Sequence, residues 1–143
     1  MAPAAAIEQV TLGDPANPCN AETDGCYGSV ASASDSSRFA VTNAQYAEFP
    51  HAVAADDVAV FFDVRMGSDV IFGGILRSGV PGSYGYAARP GYADKPVVFV
   101  TSSDALRFAN WLHNGEPVGG RDRRPRRAAL VAAACVLVLR RRA

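Results

Sequence analysis

Two stretches decide the fold: Val41-Thr-Asn-Ala-Gln-Tyr-Ala-Glu-Phe49 and Pro96-Val-Val-Phe-Val-Thr-Ser-Ser-Asp-Ala-Leu-Arg-Phe-Ala-Asn-Trp-Leu112. In the first, Thr42 can cap the amide of Gln45 while the Gln45 side chain reaches back to the Thr42 amide. This capping box predicts a helix that begins directly after Thr42. Three apolar residues follow at helical spacing: Tyr46, Phe49 and Val53.

The second stretch predicts a strand over residues 96–100 that leads directly into another helix. Thr101 and Asp104 have the spacing of a second capping box. Four apolar residues then form a helical stripe: Ala105, Phe108, Ala109 and Leu112. Asn114-Gly115 supplies the left-handed turn that commonly ends a helix, so we expect this helix to end there.

A proline interrupts the first predicted helix. Pro50 has no amide hydrogen to donate to the Tyr46 carbonyl, and its ring crowds that turn, which costs about 3 kcal/mol in a helix interior. We therefore expect the helix to end or kink at Phe49.

Turn residues and short apolar runs predict the remaining segments. Residues 7–12 alternate well enough for a short edge strand, and residues 58–62 are an apolar run suited to a buried strand. Turn formers fill residues 13–28, which predicts a loop, and residues 29–37 show no periodicity. Residues 67–91 are rich in glycine and predict an irregular loop pinned by aromatic rings. Those rings belong to Tyr84, Tyr86 and Tyr92.

Composition and charge divide the chain of 143 residues into unequal parts. A hydrophobic content of 49% with 20% charged residues indicates one globular core. Residues 1–120 carry 6 Lys and Arg against 13 Asp and Glu, whereas residues 121–143 carry 8 Arg against Asp122 alone. We therefore predict a folded domain over residues 7–118 and an Arg-rich tail over residues 119–143. Residues 1–6 are similar to the end of a secretory signal peptide.

The tail has three interpretations. Its twelve apolar residues, 128–139, would span roughly 18 Å as a helix, less than the hydrocarbon core of about 30 Å, so membrane contact needs help from snorkelling arginines. The first interpretation is a sorting or anchor tail, which places an exported protein at the cell surface; without a signal peptide the protein is cytoplasmic. The second is a frameshifted end. Nucleic-acid binding comes third, because no aromatic residues interleave with the arginines.

Cysteine and metal-ligand spacing leave several alternatives open. Cys19 and Cys26 form a disulfide if the chain is exported, and remain two free thiols otherwise; Cys135 lies alone in the apolar run. Asn20-Ala-Glu-Thr-Asp-Gly25 is similar to the start of a calcium loop, but Ala31 stands where a bidentate Glu is needed, which favours a polar turn.

The two histidines, His51 and His113, have no second histidine at helical spacing to complete a metal-binding face. No Ser-His-Asp order, phosphate-binding loop or paired-carboxylate signature is present either. Catalytic residues and cofactor-binding residues are therefore not predicted, and metal ligands stay undetermined.

Taken together, the two stretches resemble one family. Val41-Thr-Asn-Ala-Gln-Tyr46 is similar to the VTN-x-x-Tyr motif, and residues 96–111 to the PV-x-x-V…DA…W helix, of formylglycine-generating sulfatase-modifying enzymes. The glycine-rich segment between them resembles a subset found in bacterial surface proteins. The positions that carry the resemblance are Thr42, Asn43, Gln45, Tyr46, Phe49, Pro96, Val97, Val100, Asp104, Ala105, Phe108, Asn110 and Trp111. Ser102-Ser103 stands where the family often has two aromatic residues.

The resemblance covers roughly residues 10–118 and only the N-terminal part of the family's domain. It implies an α+β, loop-rich, C-type-lectin-related fold, with two helices packed on short antiparallel strands. The family binds calcium mostly through later positions, and its chemistry depends on a C-terminal cysteine pair that binds copper. Neither Cys19, Cys26 nor Cys135 matches that pair, so no copper or calcium cofactor is predicted here.

The predicted function is that of a truncated, non-catalytic member of this family. The alternative is an exported surface binding module, anchored by its basic and apolar C-terminal tail; a third is an enzyme whose missing half comes from a neighbouring reading frame. If later strands are lacking, apolar surface would be exposed and would favour aggregation or a protein partner. The side chains concerned are Tyr46, Phe49, Phe108 and Trp111.

Overall fold

The computed structural model describes residues 7–29, 31–55 and 61–115, which form a mixed structure of helices and small antiparallel sheets. The fold class predicted from sequence, α+β, is therefore confirmed. In chain order, the elements are β1 (Gln9–Leu12), β2 (Asn20–Glu22), β3 (Gly25–Tyr27), β4 (Ser34–Ser37), α1 (Asn43–Val53), α2 (Arg65–Ser68), β5 (Ile75–Ser78), β6 (Gly85–Ala88) and α3 (Ser102–His113). The proposed signal remnant at residues 1–6 and the tail at residues 119–143 lie outside the described ranges.

The strands form three two-stranded antiparallel sheets, β1 with β4, β2 with β3, and β5 with β6. The edge strand predicted near the start of the chain is confirmed as β1. Its partner β4 comes from a segment without periodicity, and the pair is joined across the register by Thr11 Oγ1, which donates to Asp35 Oδ1 at 2.8 Å. The pair contacts no other described helix or strand, and the buried residue of β4 is the polar Ser36, 7% exposed, which explains the missing apolar pattern.

Helix α1 begins as predicted, with a complete capping box. The Thr42 hydroxyl accepts from the Gln45 amide at 3.3 Å, and Gln45 Oε1 accepts from the Thr42 amide at 2.9 Å. Both donors belong to the group of amides that a helix start leaves without an intrahelical partner. The predicted N-terminus of this helix is confirmed.

Of the two outcomes expected at Phe49, an end of the helix or a kink, the end is wrong. The helix continues to Val53, and the Ala54 amide donates to the Pro50 carbonyl at 2.8 Å. Pro50 is among the fully buried side chains, so its ring gains apolar contacts that offset part of the missing hydrogen bond. The end of the helix is also held from outside, because Tyr86 Oη donates to the Ala54 carbonyl at 3.2 Å.

Helix α3 confirms the second predicted helix at both ends. The Thr101 hydroxyl accepts from the Asp104 amide at 3.2 Å at the start of the helix. At its other end Gly115 has a φ of 78°, and its amide donates to the Leu112 carbonyl at 3.1 Å. Glycine adopts this left-handed conformation without the steric cost that a Cβ atom brings.

The strand predicted over residues 96–100 is wrong. The segment makes a single antiparallel bridge between Thr42 and Pro96, and the Val97 amide donates to the Val41 carbonyl at 2.9 Å. Phe99 then has a φ of 63°, a left-handed conformation that a strand cannot contain. Its ring lies against the guanidinium of Arg65, with 4.8 Å between Cζ and the ring centroid.

Two segments predicted as loops contain hairpins instead. The first, within residues 13–28, holds β2 and β3. The second, within residues 67–91, holds the end of α2 and the β5–β6 hairpin, whose inward residue Ile75 is fully buried. The strand predicted over residues 58–62 lies mostly outside the described ranges; of that run, Phe61 and Phe62 are buried and belong to no strand.

The core lies between α1, α3 and the β5–β6 hairpin. The expectation that its aromatic residues would be partly exposed is wrong: Tyr46, Phe49, Phe108 and Trp111 are 1%, 3%, 1% and 4% exposed. These side chains are buried because the ring of Phe49 packs against four other aromatic rings, with 4.8–6.0 Å between ring centroids. Those rings are Tyr46, Phe61, Phe108 and Trp111.

Candidate functional site

Asn43, the third residue of the VTN motif, is a buried clamp. Its side chain is 1% exposed, and Nδ2 donates to the Tyr92 carbonyl at 2.9 Å and to the Lys95 carbonyl at 3.0 Å. Its backbone amide donates to the same Lys95 carbonyl at 2.9 Å. Gly74 packs directly against the amide group, since a Cβ atom at position 74 would collide with it. Asn43 therefore ties the loop before α3 to the start of α1.

Asp104 also has its carboxylate committed to local structure. It is 7% exposed, and its Oδ2 accepts from the Thr101 hydroxyl at 2.5 Å. Arg107, one turn further along α3, reaches Oδ1 at 3.4 Å. An acidic residue in the first turn also interacts favourably with the helix dipole. The structure gives Asp104 a capping role.

The remaining motif residues divide between core and surface. Val97 and Val100 are 3% and 5% exposed and lie in the core, whereas Pro96 is exposed at its bridge to Thr42. Ala105 is half-buried and packs against the core, and Asn110 is buried on α3. The motif residues that the structure brings together are thus those of the core and of the Asn43 clamp.

Cys19 and Cys26 form a disulfide with 5.4 Å between their Cα atoms. The pairing that the sequence left open is therefore present. The bond closes the hairpin of β2 and β3, whose residues are all exposed. Cysteines that are bonded to each other present no thiolate to a metal or a substrate.

The segment similar to a calcium loop forms this same hairpin. Asn20 Nδ2 donates to Glu22 Oε1 at 2.9 Å, so the potential ligand oxygen of Glu22 accepts from an amide instead. Over residues 7–29, 31–55 and 61–115, no three His, Cys, Asp or Glu side chains are grouped so that they could hold a metal ion.

His51 has a structural role for which the sequence gave no signal. Its Nδ1 accepts from the Tyr86 amide at 3.3 Å, which connects α1 to β6. His113 is exposed in the last turn of α3.

Among the described residues, Val70, Ile71 and Phe72 are three consecutive exposed apolar residues that form a turn, which we call the apolar tip. Their exposed fractions are 78%, 67% and 46%. Asp69 holds the turn, because its Oδ1 accepts from the Ile71 amide at 2.9 Å and from the Phe72 amide at 2.8 Å. Hydrogen bonds from these amides, first Phe72 and then Ile71, lower the pKa of Asp69 below its ordinary value.

The side chains of Arg89 and Tyr92 hold the apolar tip through hydrogen bonds to backbone carbonyls of residues 67–70. Arg89 donates to the Asp69 carbonyl at 3.2 Å and to the Gly67 carbonyl at 2.8 Å. Tyr92 Oη donates to the Val70 carbonyl at 3.3 Å. The Tyr92 ring also makes cation–π contacts with two basic side chains. Its centroid lies 3.7 Å from Lys95 Nζ and 5.4 Å from Arg89 Cζ.

Two further arginines, Arg77 and Arg65, also lie against aromatic rings. The Cζ atom of Arg77 is 5.0 Å from the Phe62 ring centroid and 4.5 Å from that of Tyr84. Arg65 forms an ion pair with Asp63, at 2.6 Å between Nη2 and Oδ2. The hydrogen bond from Arg65 is the main cause that lowers the pKa of Asp63.

Charge is distributed unevenly between the two halves of the described chain. Residues 7–55 contain one arginine and six acidic residues, whereas residues 61–115 contain five cationic residues and four acidic ones. The basic residues of the second half are Arg65, Arg77, Arg89, Lys95 and Arg107. The apolar tip therefore belongs to the less acidic part of the protein.

Sequence reasoning missed the apolar tip because it treated residues 67–91 as one irregular loop. A local signal was present, because the Asp69 side chain accepts from the amides of Ile71 and Phe72, which are two and three positions later in the sequence. This spacing is typical of Asx turns. Comparison of the chain with models of protein families, with curated proteins and with solved structures gives no match.

Proposed function

We propose that this chain is a non-catalytic domain of the sulfatase-modifying-factor type, with the loop-rich, C-type-lectin-related fold of that family's N-terminal part. The observation that carries the proposal is the use of Asn43. Its two side-chain donors go to backbone carbonyls, at 2.9 and 3.0 Å, and it is 1% exposed, so the motif acts in folding. The capping role of Asp104 supports the same interpretation.

The cysteines support the non-catalytic part of the proposal. Formylglycine formation in the resembled family needs thiols that bind copper and engage a substrate cysteine, whereas Cys19 and Cys26 are joined to each other. They also lie in a hairpin that packs against no other described helix or strand. This position keeps them away from the core that the motif residues form.

The test is incubation of the full chain with copper and a Cys-x-Pro-x-Arg peptide, followed by mass spectrometry of the peptide. We expect an unmodified peptide. A matched incubation under reducing conditions determines whether freed thiols add activity, and we expect none there either. Conversion of the peptide cysteine to formylglycine in either incubation would contradict the proposal.

A second candidate function is an exported surface binding module, and two observations favour it. Disulfides persist in oxidising compartments, and Cys19 is bonded to Cys26. The apolar tip also offers a contact surface of consecutive exposed side chains. Anchoring by the tail predicts that the protein fractionates with membranes and becomes soluble when residues 128–143 are deleted. Unchanged fractionation after the deletion would argue against the anchor.

That anchor lies outside the described residues. Among the helices that the structure describes, none is long and apolar enough to cross a membrane.

A further inference from the structure

Exposed apolar side chains continue from the apolar tip into the elements on both sides of it. The tip connects α2 to β5, and these two elements pack on each other. Val64, directly before α2, is 69% exposed, and Leu76 on β5 is 40% exposed. Five of the nine large exposed apolar side chains of the described residues thus lie within residues 64–76. Such a concentration differs from ordinary scatter of single apolar residues and marks a contact site.

The backbone of the tip makes its hydrogen bonds within the protein. The amides of Ile71 and Phe72 donate to the Asp69 carboxylate, and the Gly73 amide donates to the Asp69 carbonyl at 3.1 Å. The Val70 carbonyl accepts from Tyr92 at 3.3 Å. Moving a backbone polar group out of water is costly only when it has no partner. A segment that covers the tip therefore needs to supply apolar side chains and no hydrogen bonds to these groups.

The same chain contains a segment of that chemistry, the apolar run of residues 128–139, which lies outside the described ranges. It is the longest uninterrupted apolar run of the sequence, with eleven aliphatic residues and Cys135. Uninterrupted apolar runs of about 10–14 residues are more typical of segments buried in protein than of membrane-spanning helices. Its length therefore favours a protein surface as the cover for its side chains.

The connection between the domain and this run is long enough for the two to meet. The run begins 13 residues after Gly115, the last described residue. Fully extended, 13 residues span at most about 43–47 Å. A domain of about 100 residues has a radius of gyration of about 13 Å, so the connection exceeds its diameter. A short tether also gives an effective concentration of millimolar order, so a contact of modest strength suffices.

We propose that residues 128–139 dock on the apolar tip of the same chain, with Val64 and Leu76 at the margin of the contact. The contact depends on apolar burial on both sides, and it is independent of formylglycine chemistry. A docked run is withheld from a membrane, so the anchoring considered above requires its release from the tip. A membrane and a second copy of the chain are the competing covers that the test distinguishes.

The first experiment measures the accessibility of the Cys135 thiol in the full chain without reductant. Cys19 and Cys26 are bonded to each other, so a thiol reagent reports on the third cysteine. The double variant Ile71→Ser, Phe72→Ser removes two apolar side chains of the tip. Leu106→Ser is the matched control, because Leu106 is 51% exposed but lies on α3. Circular dichroism verifies that each variant is folded.

We expect Cys135 to react at least about tenfold more slowly in the native chain and in Leu106→Ser than in the double variant, where two apolar side chains no longer leave water. Reaction in the native chain as fast as in concentrated urea would overturn the proposal, and slow reaction only with phosphatidylcholine vesicles would assign the run to a membrane. Slow reaction that persists in the double variant would also overturn it. Protection that weakens on dilution would assign the cover to a second copy instead.

The second experiment observes the contact from the side of the tip. Ile71→Trp and Leu106→Trp place a fluorescent side chain at the tip and at the control position, and the native Trp111, 4% exposed, adds the same background to both. Each is then combined with Leu137→Asp and Leu139→Asp in the apolar run. We expect these tail substitutions to shift the emission of position 71 to the red and to leave position 106 unchanged. An unchanged emission at position 71, or an equal shift at both positions, would refute docking.

Discussion

Replacing Asn43 by alanine tests the structural role of the motif. The substitution removes two hydrogen bonds, to the Tyr92 and Lys95 carbonyls, each worth about 0.5–1.5 kcal/mol net. Loss of a fully buried amide group leaves a small cavity that costs about 1 kcal/mol more. The higher helix propensity of alanine returns at most about 0.7 kcal/mol. We expect the free energy of unfolding to fall by about 2–3 kcal/mol.

Urea unfolding of the native chain and of Asn43→Ala measures this difference, with circular dichroism of the helices as the signal. The control is Asn20→Ala, which removes an exposed side chain bonded only to Glu22 in the described contacts and is expected to change stability by less than about 0.5 kcal/mol. Asn43→Asp is expected to cost more than Asn43→Ala, because its carboxylate would face two carbonyl oxygens. Equal stability of Asn43→Ala and Asn20→Ala would refute the clamp.

Three further predictions concern other parts of the described chain. Reduction of the Cys19–Cys26 disulfide should increase amide exchange in its hairpin, because the reduced hairpin frays in the native state. The free energy of unfolding should therefore fall by less than the roughly 2–3 kcal/mol of the chain-entropy model. Loss of the whole fold in hydrogen-exchange mass spectrometry would contradict this prediction. Phe108→Ala should cost about 3–5 kcal/mol in urea unfolding, against less than about 0.5 kcal/mol for the exposed Leu106→Ala, and equal costs would contradict the core described above. The folded-state pKa of Asp69 is lowered, so its stabilisation of the apolar tip is fully present above the ordinary pKa of 3.8 and is lost as the pH falls through the lowered pKa. In an NMR titration, the amide shifts of the tip should therefore have a midpoint below pH 3.8. A midpoint at or above pH 3.8 would be inconsistent with the Asp69 turn.

The parts of the fold that could be predicted from sequence depend on local interactions. A capping residue and the amide that it accepts from are three positions apart, so Thr42 with Gln45 and Thr101 with Asp104 are readable as pairs. The helix end at Gly115 is equally local, because it depends on the conformation of one residue. These features fixed the starts of α1 and α3 and the end of α3 correctly.

The parts that could not be predicted depend on contacts between distant segments. Pro50 is accepted in α1 because its ring is buried by the rest of the core, and nothing within the helix itself indicates that burial. Gly74 is required by the side chain of Asn43, which is 31 positions earlier in the sequence. The left-handed Phe99, packed against Arg65, ends the predicted strand for the same kind of reason.

The candidate site shows the same division. The pattern identified Asn43 and Asp104 as important, but only the structure gives their partners, which are backbone carbonyls and a hydroxyl rather than a ligand. The apolar tip could not be predicted from the glycine-rich segment that contains it. Its exposure depends on the Asp69 turn and on the hydrogen bond from Tyr92 to the carbonyl of Val70, 22 positions earlier. Exposure of this kind has no counterpart in sequence periodicity.

The central claim is that the motif residues build the core of this domain, and Trp111 reports on it most directly. It is the one tryptophan in the sequence, is 4% exposed, and packs on Phe49 and Phe108 with ring centroids 5.6 and 6.0 Å away. Acrylamide quenching of its fluorescence across a urea titration is the measurement. We predict weak quenching in buffer that rises in one cooperative step with unfolding. Quenching in buffer as strong as in concentrated urea would contradict the claim.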